Sequence, residues 1–216
     1  MGKPDELFEI PLILLNVVLF PGMVLPLHIF ESRYRAMVAH CLADNAPFGV
    51  VLTGEPTSEG GETPARVGTL ARIVSYKQLP DGRYNLLTHG TKRFEIVDLR
   101  QDKPYLIGRV RPFNDIELSG PGMGNAVIQA HRILRQYLSS LTTLVGIERQ
   151  EVSIPTDPVD LSFLMGMCLT CEDCDKQALL EMQSVPQRLR AGTYMVRCEL
   201  DAIACETESH RPSSGD

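Results

Sequence analysis

The chain has 216 residues, 44% hydrophobic content, no Trp and a formal net charge of -6. That length can build one core or two small ones. The excess acid lies mainly after residue 120 and no basic stripe is present. This argues against a nucleic-acid binder, which needs cations to displace counterions from phosphates.

The first long feature is "EIPLILLNVVLFPGMVLPLHIFESRYRAM", from Glu9 to Met37. Its apolar part is long enough to cross a bilayer, but Pro11, Pro21, Pro26 and the Pro21-Gly22 dipeptide break any continuous helix. The preceding "MGKPDELFE" is acidic, where a secretory signal would be positive, so neither a membrane anchor nor a signal peptide is expected. The six cysteines then point to a reducing, cytoplasmic compartment, where they serve as small apolar residues. The run is expected to form two short strands parted by "FPGM". In "LILLNVVLF" only Asn16 is polar, so both faces of the first strand should be covered.

Tyr34, Met37, Val38, Cys41 and Leu42 share one helical stripe that ends at "DNAP". "FGVVLT" follows as a core strand, and "GEPTSEGGETPARVG" has the composition of a loop. From Val67 to Phe113 short alternating runs make a β-meander. Asp81-Gly82 marks a hairpin turn, and Gly90 marks a bulge or a close backbone approach. The total of six or seven strands is enough to curl into a small barrel.

Past "GPGMGN" the pattern becomes helical. Val127, Ala130, Leu134, Tyr137, Leu138, Leu141 and Val145 form one stripe. "TDPVDLSFLMGMCL" has Asp157 as N-cap and Pro158 at the first helical position. "CEDCDKQALLEM" and "VPQRLRAGTYMVRCELDAIACE" supply further helices, the last with Leu189, Val196 and Ile203 at heptad spacing. The fold class expected is α+β, with a β-rich subdomain over 9–118, a helical subdomain over 119–206 and a disordered tail over 207–216.

"IPLILLNVVLFPGMVLPLHIFESRYRAM", "GVVL", "VGTLARI", "LPDGRYNLLTHGTKRFEI", "DKQALLE" and "VPQRL" occur in this order over Glu9 to Glu206. In order and spacing they resemble the N-terminal substrate-binding domain of Lon proteases. The resemblance implies a PUA-like β-barrel followed by a helical bundle, and a role in recognising polypeptides. In Lon this region holds substrate for an ATPase and a protease further along the chain. Here no G-x-x-x-x-G-K-[ST] loop occurs, since the only Gly-Lys is Gly2-Lys3, and the length leaves no room for a protease domain. The chain is therefore similar to stand-alone, non-catalytic bacterial proteins of this type, with unfolded or partner polypeptide as ligand and neither nucleic acid nor membrane as partner.

An alternative is a small-molecule or metal-dependent enzyme. Cys168, Cys171 and Cys174 have C-x2-C-x2-C spacing, but Ala178 stands where the fourth cluster ligand would fall. Gly120, Gly122 and Gly124 precede a helix without making G-x-G-x-x-G. The histidines show no H-E-x-x-H pair, so no catalytic residue, metal or cofactor is expected. The candidate binding residues are Phe20, Met23 and Leu25, expected as an exposed apolar patch, with Arg33, Tyr34, Arg93 and Phe94. For Tyr34 and Arg93 a structural role competes, because Tyr34 lies on the apolar stripe and the Arg93 guanidinium can bond backbone carbonyls.

Overall fold

The computed structural model describes residues 6–56, 62–145 and 153–209. They contain seven strands and five helices, divided between two compact units. The first unit holds the part of the chain up to Asn114 together with Asp173–Gln183; the second holds Asp115–Glu172 and the part from Ser184 onward.

In the first unit β1 (Phe8–Leu15), β2 (Val24–Ile29), helix α1 (Ser32–Ala43) and β3 (Phe48–Pro56) precede the meander. The meander is β5 (Val67–Gln78), β6 (Tyr84–Arg100) and β7 (Leu106–Pro112). Hydrogen bonding runs β1-β7-β6-β5-β3, and β3 pairs again with β1 in parallel register, Leu12 beside Gly49 and Leu15 beside Leu52. The ring of pairings therefore closes on itself. A short β4 (Glu62–Pro64) pairs with the far end of β3, inside the stretch whose composition reads as loop. Two pairs there, Thr53 with Pro64 and, across a register shift, Pro56 with Glu62, override the local composition.

Both faces of β1 are covered, as its composition requires. Ile10 and Leu12 pack with Val51, Phe94 and Val110, while Ile13 packs with Phe48, Val50 and the α1 residues Tyr34, Met37, Val38 and Cys41. The α1 stripe is thus the buried stripe, with Leu42 half-buried at its end. The helix stops because Asn45 takes φ 48°, so that Ala46 N–H reaches the Cys41 carbonyl at 2.9 Å and Asn45 N–H the Leu42 carbonyl at 3.4 Å. This is the left-handed C-terminal cap that Asn tolerates and most residues do not.

Two turns settle the register. At "PDGR", Gly82 has φ 82°, Leu79 N–H donates to the Arg83 carbonyl, and the Asp81 carboxylate accepts from Arg83 N–H at 3.1 Å. At "FPGM", Gly22 has φ 87° and donates to the Gly90 carbonyl, while Gly90 N–H donates to the Met23 carbonyl, both at 2.8 Å. The register of β5 and β6 shifts between Thr69 and Ala71, opposite this point. Gly90 therefore marks both a bulge and a close backbone approach.

Helix α4 (Asp173–Glu181) belongs to this strand-rich unit, not to the helical segment 119–206 in which its sequence position puts it. Its Gln177 donates to the Val67 carbonyl at 2.9 Å, and its C-terminal carbonyls are taken by Arg93.

The second unit contains α2 (Met123–Val145), α3 (Pro158–Cys168) and α5 (Val185–Ser209). Asp157 caps α3 by accepting from Val159 and Asp160 N–H at 2.9 and 3.0 Å, with Pro158 following as the first helical residue. Leu161, Phe163 and Met165 of α3 are buried, as are Ala130, Leu134 and Tyr137 of α2 and Leu189 and Val196 of α5. Helix α5 continues to Ser209, past the expected start of the tail at 207; residues 210–216 lie outside those described.

Candidate functional site

The seven candidate binding residues separate by burial. Phe20 is 1% exposed, and the exposed patch expected around it does not form there. The cause is the turn itself, which lays the Phe20 backbone against Gly90 and turns the ring into the core. Met23 and Leu25 are half-buried against the same core cluster as Ile13 and Met37. Phe94 is wholly buried, and its ring occupies the space left by two glycines: a Cβ on Gly49 or Gly68 would stand 2.6 or 2.7 Å from its Cζ. Tyr34 is buried, with its hydroxyl accepting from Leu14 N–H at 3.4 Å.

Arg93 is buried on β6. Its Nη1 donates to the Leu180 carbonyl and, at 2.8 Å, to the Met182 carbonyl, and its guanidinium stacks 4.9 Å from the Phe113 ring centroid. It therefore satisfies the orphan carbonyls at the end of α4. Arg33 alone of the seven is exposed; it pairs with Glu31 at 2.8 Å and lies over the Tyr34 ring at 4.5 Å.

One face that the first unit presents to solvent is the sheet where β2, β6 and the second half of β5 run side by side. Register places His28, Asn85 and Lys77 in one row, Pro26, Leu87 and Ser75 in the next, and Val24, His89 and Arg72 in a third. Val24 is 54% exposed, Leu87 38% and, at the end of β2, Phe30 62%. Val74, at a register shift in β5, and Tyr76 are 55% and 56% exposed. The period-two alternation of "VLPLHIF" carries the signal for this face. Val24, Pro26, His28 and Phe30 point out, while Leu25 and Leu27 are half-buried and Ile29 fully so.

Cys168 and Cys171 belong to the second unit and Cys174 to the first, and no group of three or more His, Cys, Asp or Glu able to hold a metal occurs among the described residues. Burial pushes the Cys168 thiol up to about 11, away from the reactive thiolate. Gly122 takes φ 77° at the start of α2, but the Glu117 carboxylate stands beside Gly120, 3.0 Å from where a Cβ would lie. A carboxylate at that helix entry opposes an anion there.

Two polar clusters of the second unit have no forewarning in residue spacing. Arg188 is 0% exposed; it donates to Ser162 Oγ at 2.8 Å, forms a two-point contact with Asp115 at 2.7 and 3.3 Å, and stacks 4.1 Å from the Phe163 centroid. Glu199 accepts from Thr170 N–H at 2.8 Å, Cys171 N–H at 2.9 Å, Thr170 Oγ1 at 3.0 Å and the Tyr137 hydroxyl. Burial first, then this carboxylate, pushes the Tyr137 phenol well above its usual range. Each cluster ties segments distant in sequence, so only the folded chain brings the partners together.

Comparison with known proteins supplies the context. "Lon protease 2" of Myxococcus xanthus is 28% identical over 199 residues, covering 88% of this chain and 24% of that protein. "Lon protease" of Roseiflexus castenholzii is 30% identical over 193 residues, covering 87% of this chain and 24% of that protein. The chain thus spans about a quarter of the length of these curated relatives. A Lon N-terminal domain protein from Xanthomonas campestris has a TM-score of 0.61 at 26% identity, covering 85% of this chain and 95% of that one. The N-terminal domain of the Mycobacterium avium complex Lon protease has a TM-score of 0.70 at 19% identity, covering 88% and 98%, a likeness of fold. The model of the ATP-dependent protease La (Lon) substrate-binding domain matches residues 9–197, most of the chain. Since that match covers most of its length, the chain belongs to the Lon substrate-binding domain family.

Proposed function

We propose that the chain is a non-enzymatic, cytoplasmic module that binds unfolded or partner polypeptide. On this reading the closed ring of strands is the PUA-like barrel and the helices of the second unit are the bundle. The observation that carries the proposal is the outer face of the β2–β6–β5 sheet, where Val24, Leu87 and Phe30 face solvent among polar and basic neighbours. Exposed apolar groups on such a frame suit an extended, side-chain-rich ligand better than a compact small molecule, which needs a concave site. Of the residues first expected to bind, Arg33 stays in the proposal as an exposed cation near the end of β2. Phe20, Tyr34, Arg93 and Phe94 take supporting roles, and Met23 and Leu25 form the floor.

The test is binding of a permanently unfolded, reduced and alkylated protein, read by fluorescence anisotropy. Val24→Asp with Leu87→Asp should weaken binding about tenfold, as removal of a hot-spot contact does, with the melting temperature nearly unchanged. Equal binding by the variant would overturn this placement, and no binding by the wild type would overturn the proposal.

A further inference from the structure

The sheet that carries the exposed apolar row has two unpaired borders among the described residues, and they are not equivalent. On β2, Gly90 N–H donates to the Met23 carbonyl and Val24 lies opposite His89. Antiparallel alternation then turns the backbone groups of Leu25, Leu27 and Ile29 toward β6, and those of Val24, Pro26 and His28 away from it. Pro26 has no N–H to offer, so this border is blunted at its centre.

The β5 border is open. β3 accompanies β5 only from Thr69 to Ala71, so among the described residues the strand beyond has β6 as its single neighbour. The same alternation faces Asn85 and Leu87 toward β5 and leaves the N–H and C=O of Tyr76 and Gln78 pointing to the free side. Ser75, Tyr76, Lys77 and Gln78 are all exposed, and no proline interrupts them. The register shift at Val74 limits the usable length to these few residues, so backbone pairing alone would be weak.

Charge selects the partner. The chain is acidic overall, yet Met23–Phe30, Arg72–Leu79 and Tyr84–Lys92 contain no Asp or Glu. Arg72 and Lys77 stand on the outer face in the rows of His89 and Asn85, and neither has a carboxylate partner among the described residues. The nearest acids in sequence are already engaged, Asp81 by Arg83 at 2.7 Å and Glu31 by Arg33 at 2.8 Å.

We infer that Ser75–Gln78 of β5 accepts an added strand from an extended polypeptide in which carboxylates alternate with apolar side chains. The carboxylates face Lys77, with Arg72 adding positive charge on the same face beyond the register shift, and the apolar side chains lie along Tyr76. Backbone pairing supplies the docking geometry, and alternate side chains supply selection. A second copy of the chain fits less well, because antiparallel self-pairing brings the Arg72 and Lys77 cations of both copies onto one sheet. This inference rests on the polypeptide-binding reading above and narrows it to one border and one ligand chemistry.

The experiment uses the full chain and two probes: a labelled peptide of about ten residues alternating Val and Glu, long enough to span the border, and the permanently unfolded protein. The peptide should bind, and its Val-Lys counterpart should not. Lys77→Glu and, separately, Tyr76→Pro should each weaken peptide binding about tenfold, as loss of a complementary rim charge or an edge donor does. Melting curves confirm folding, and either variant serves alone if the other does not fold. Undiminished peptide binding by the folded variants overturns the inference. Binding of the unfolded protein without the peptide overturns it too, but leaves the polypeptide-binding reading intact. Failure of both probes removes both. A concentration-dependent dimer that Tyr76→Pro abolishes, with no peptide bound, assigns the border to a second copy and also overturns it.

Discussion

Gly90 and Phe20 meet backbone to backbone: a Cβ on Gly90 would collide with the Phe20 carbonyl oxygen and stand 3.1 Å from Leu19 Cγ. The "FPGM" turn is docked on β6 through this gap, with Gly22 and Met23 bonding Gly90 on either side. Gly90→Ala should therefore lower stability by roughly 2–3 kcal/mol, a large single-site loss of the kind backbone displacement produces. Urea unfolding checks it; a loss below about half a kcal/mol, typical of an unremarkable surface site, would mean the approach is looser than described.

Phe20 and Val24, four residues apart, should respond in opposite ways. Phe20 is in the core, so Phe20→Ala should cost about 3–5 kcal/mol and Phe20→Asp should abolish folding. Val24 is 54% exposed, and Val24→Asp should change stability by about half a kcal/mol or less. Thermal melts of the two Asp variants side by side decide the point.

The Arg188–Asp115 pair is buried at one end and nearly so at the other. Arg188→Met alone strands the carboxylate and should cost about 3–5 kcal/mol, whereas Arg188→Met with Asp115→Leu should recover most of that loss, because both charges leave together. Denaturant titration of the two single variants and the double variant measures the coupling. Strict additivity would show that the pair does not act as one unit.

Cysteine reactivity should follow burial. The Cys41 thiol is pushed up to about 11, by burial first and then by the Asp44 charge, and Cys168 to about 11 by burial. At pH 8 iodoacetamide should modify exposed Cys174, Cys198 and Cys205 well before Cys41, as mass spectrometry would resolve. The folded state holds these two protons where the unfolded chain, with thiol values near 9, releases them. The stability they contribute is therefore complete below pH 9 and is lost as pH rises toward 11. Serine at both sites should flatten that part of the stability profile.

On the non-enzymatic reading proposed above, the purified chain should hydrolyse neither casein nor ATP, for which its sequence offers no phosphate loop. Turnover that follows the protein through successive columns and disappears on a point substitution would refute this.

Local chemistry by itself determined much of the molecule. The stripe of α1, the Asp157–Pro158 start of α3, the Asp81-Gly82 turn and the family motif order all depend on residues close in sequence, where spacing maps directly onto a helix face or a turn. Even Gly90 declared itself, because a glycine inside a strand pattern has few other reasons to be there. Tertiary structure decided which apolar residues are surface. Phe20 and Val24 look alike in the sequence; the turn docking on Gly90 sends Phe20 inward, and strand alternation sends Val24 outward. It also decided that α4 joins the strands, because Arg93 and Gln177 reach partners more than eighty residues away. The free border of β5 is of the same kind, since an unpaired edge is defined by which strand fails to arrive beside it, and that is a property of the whole ring of pairings.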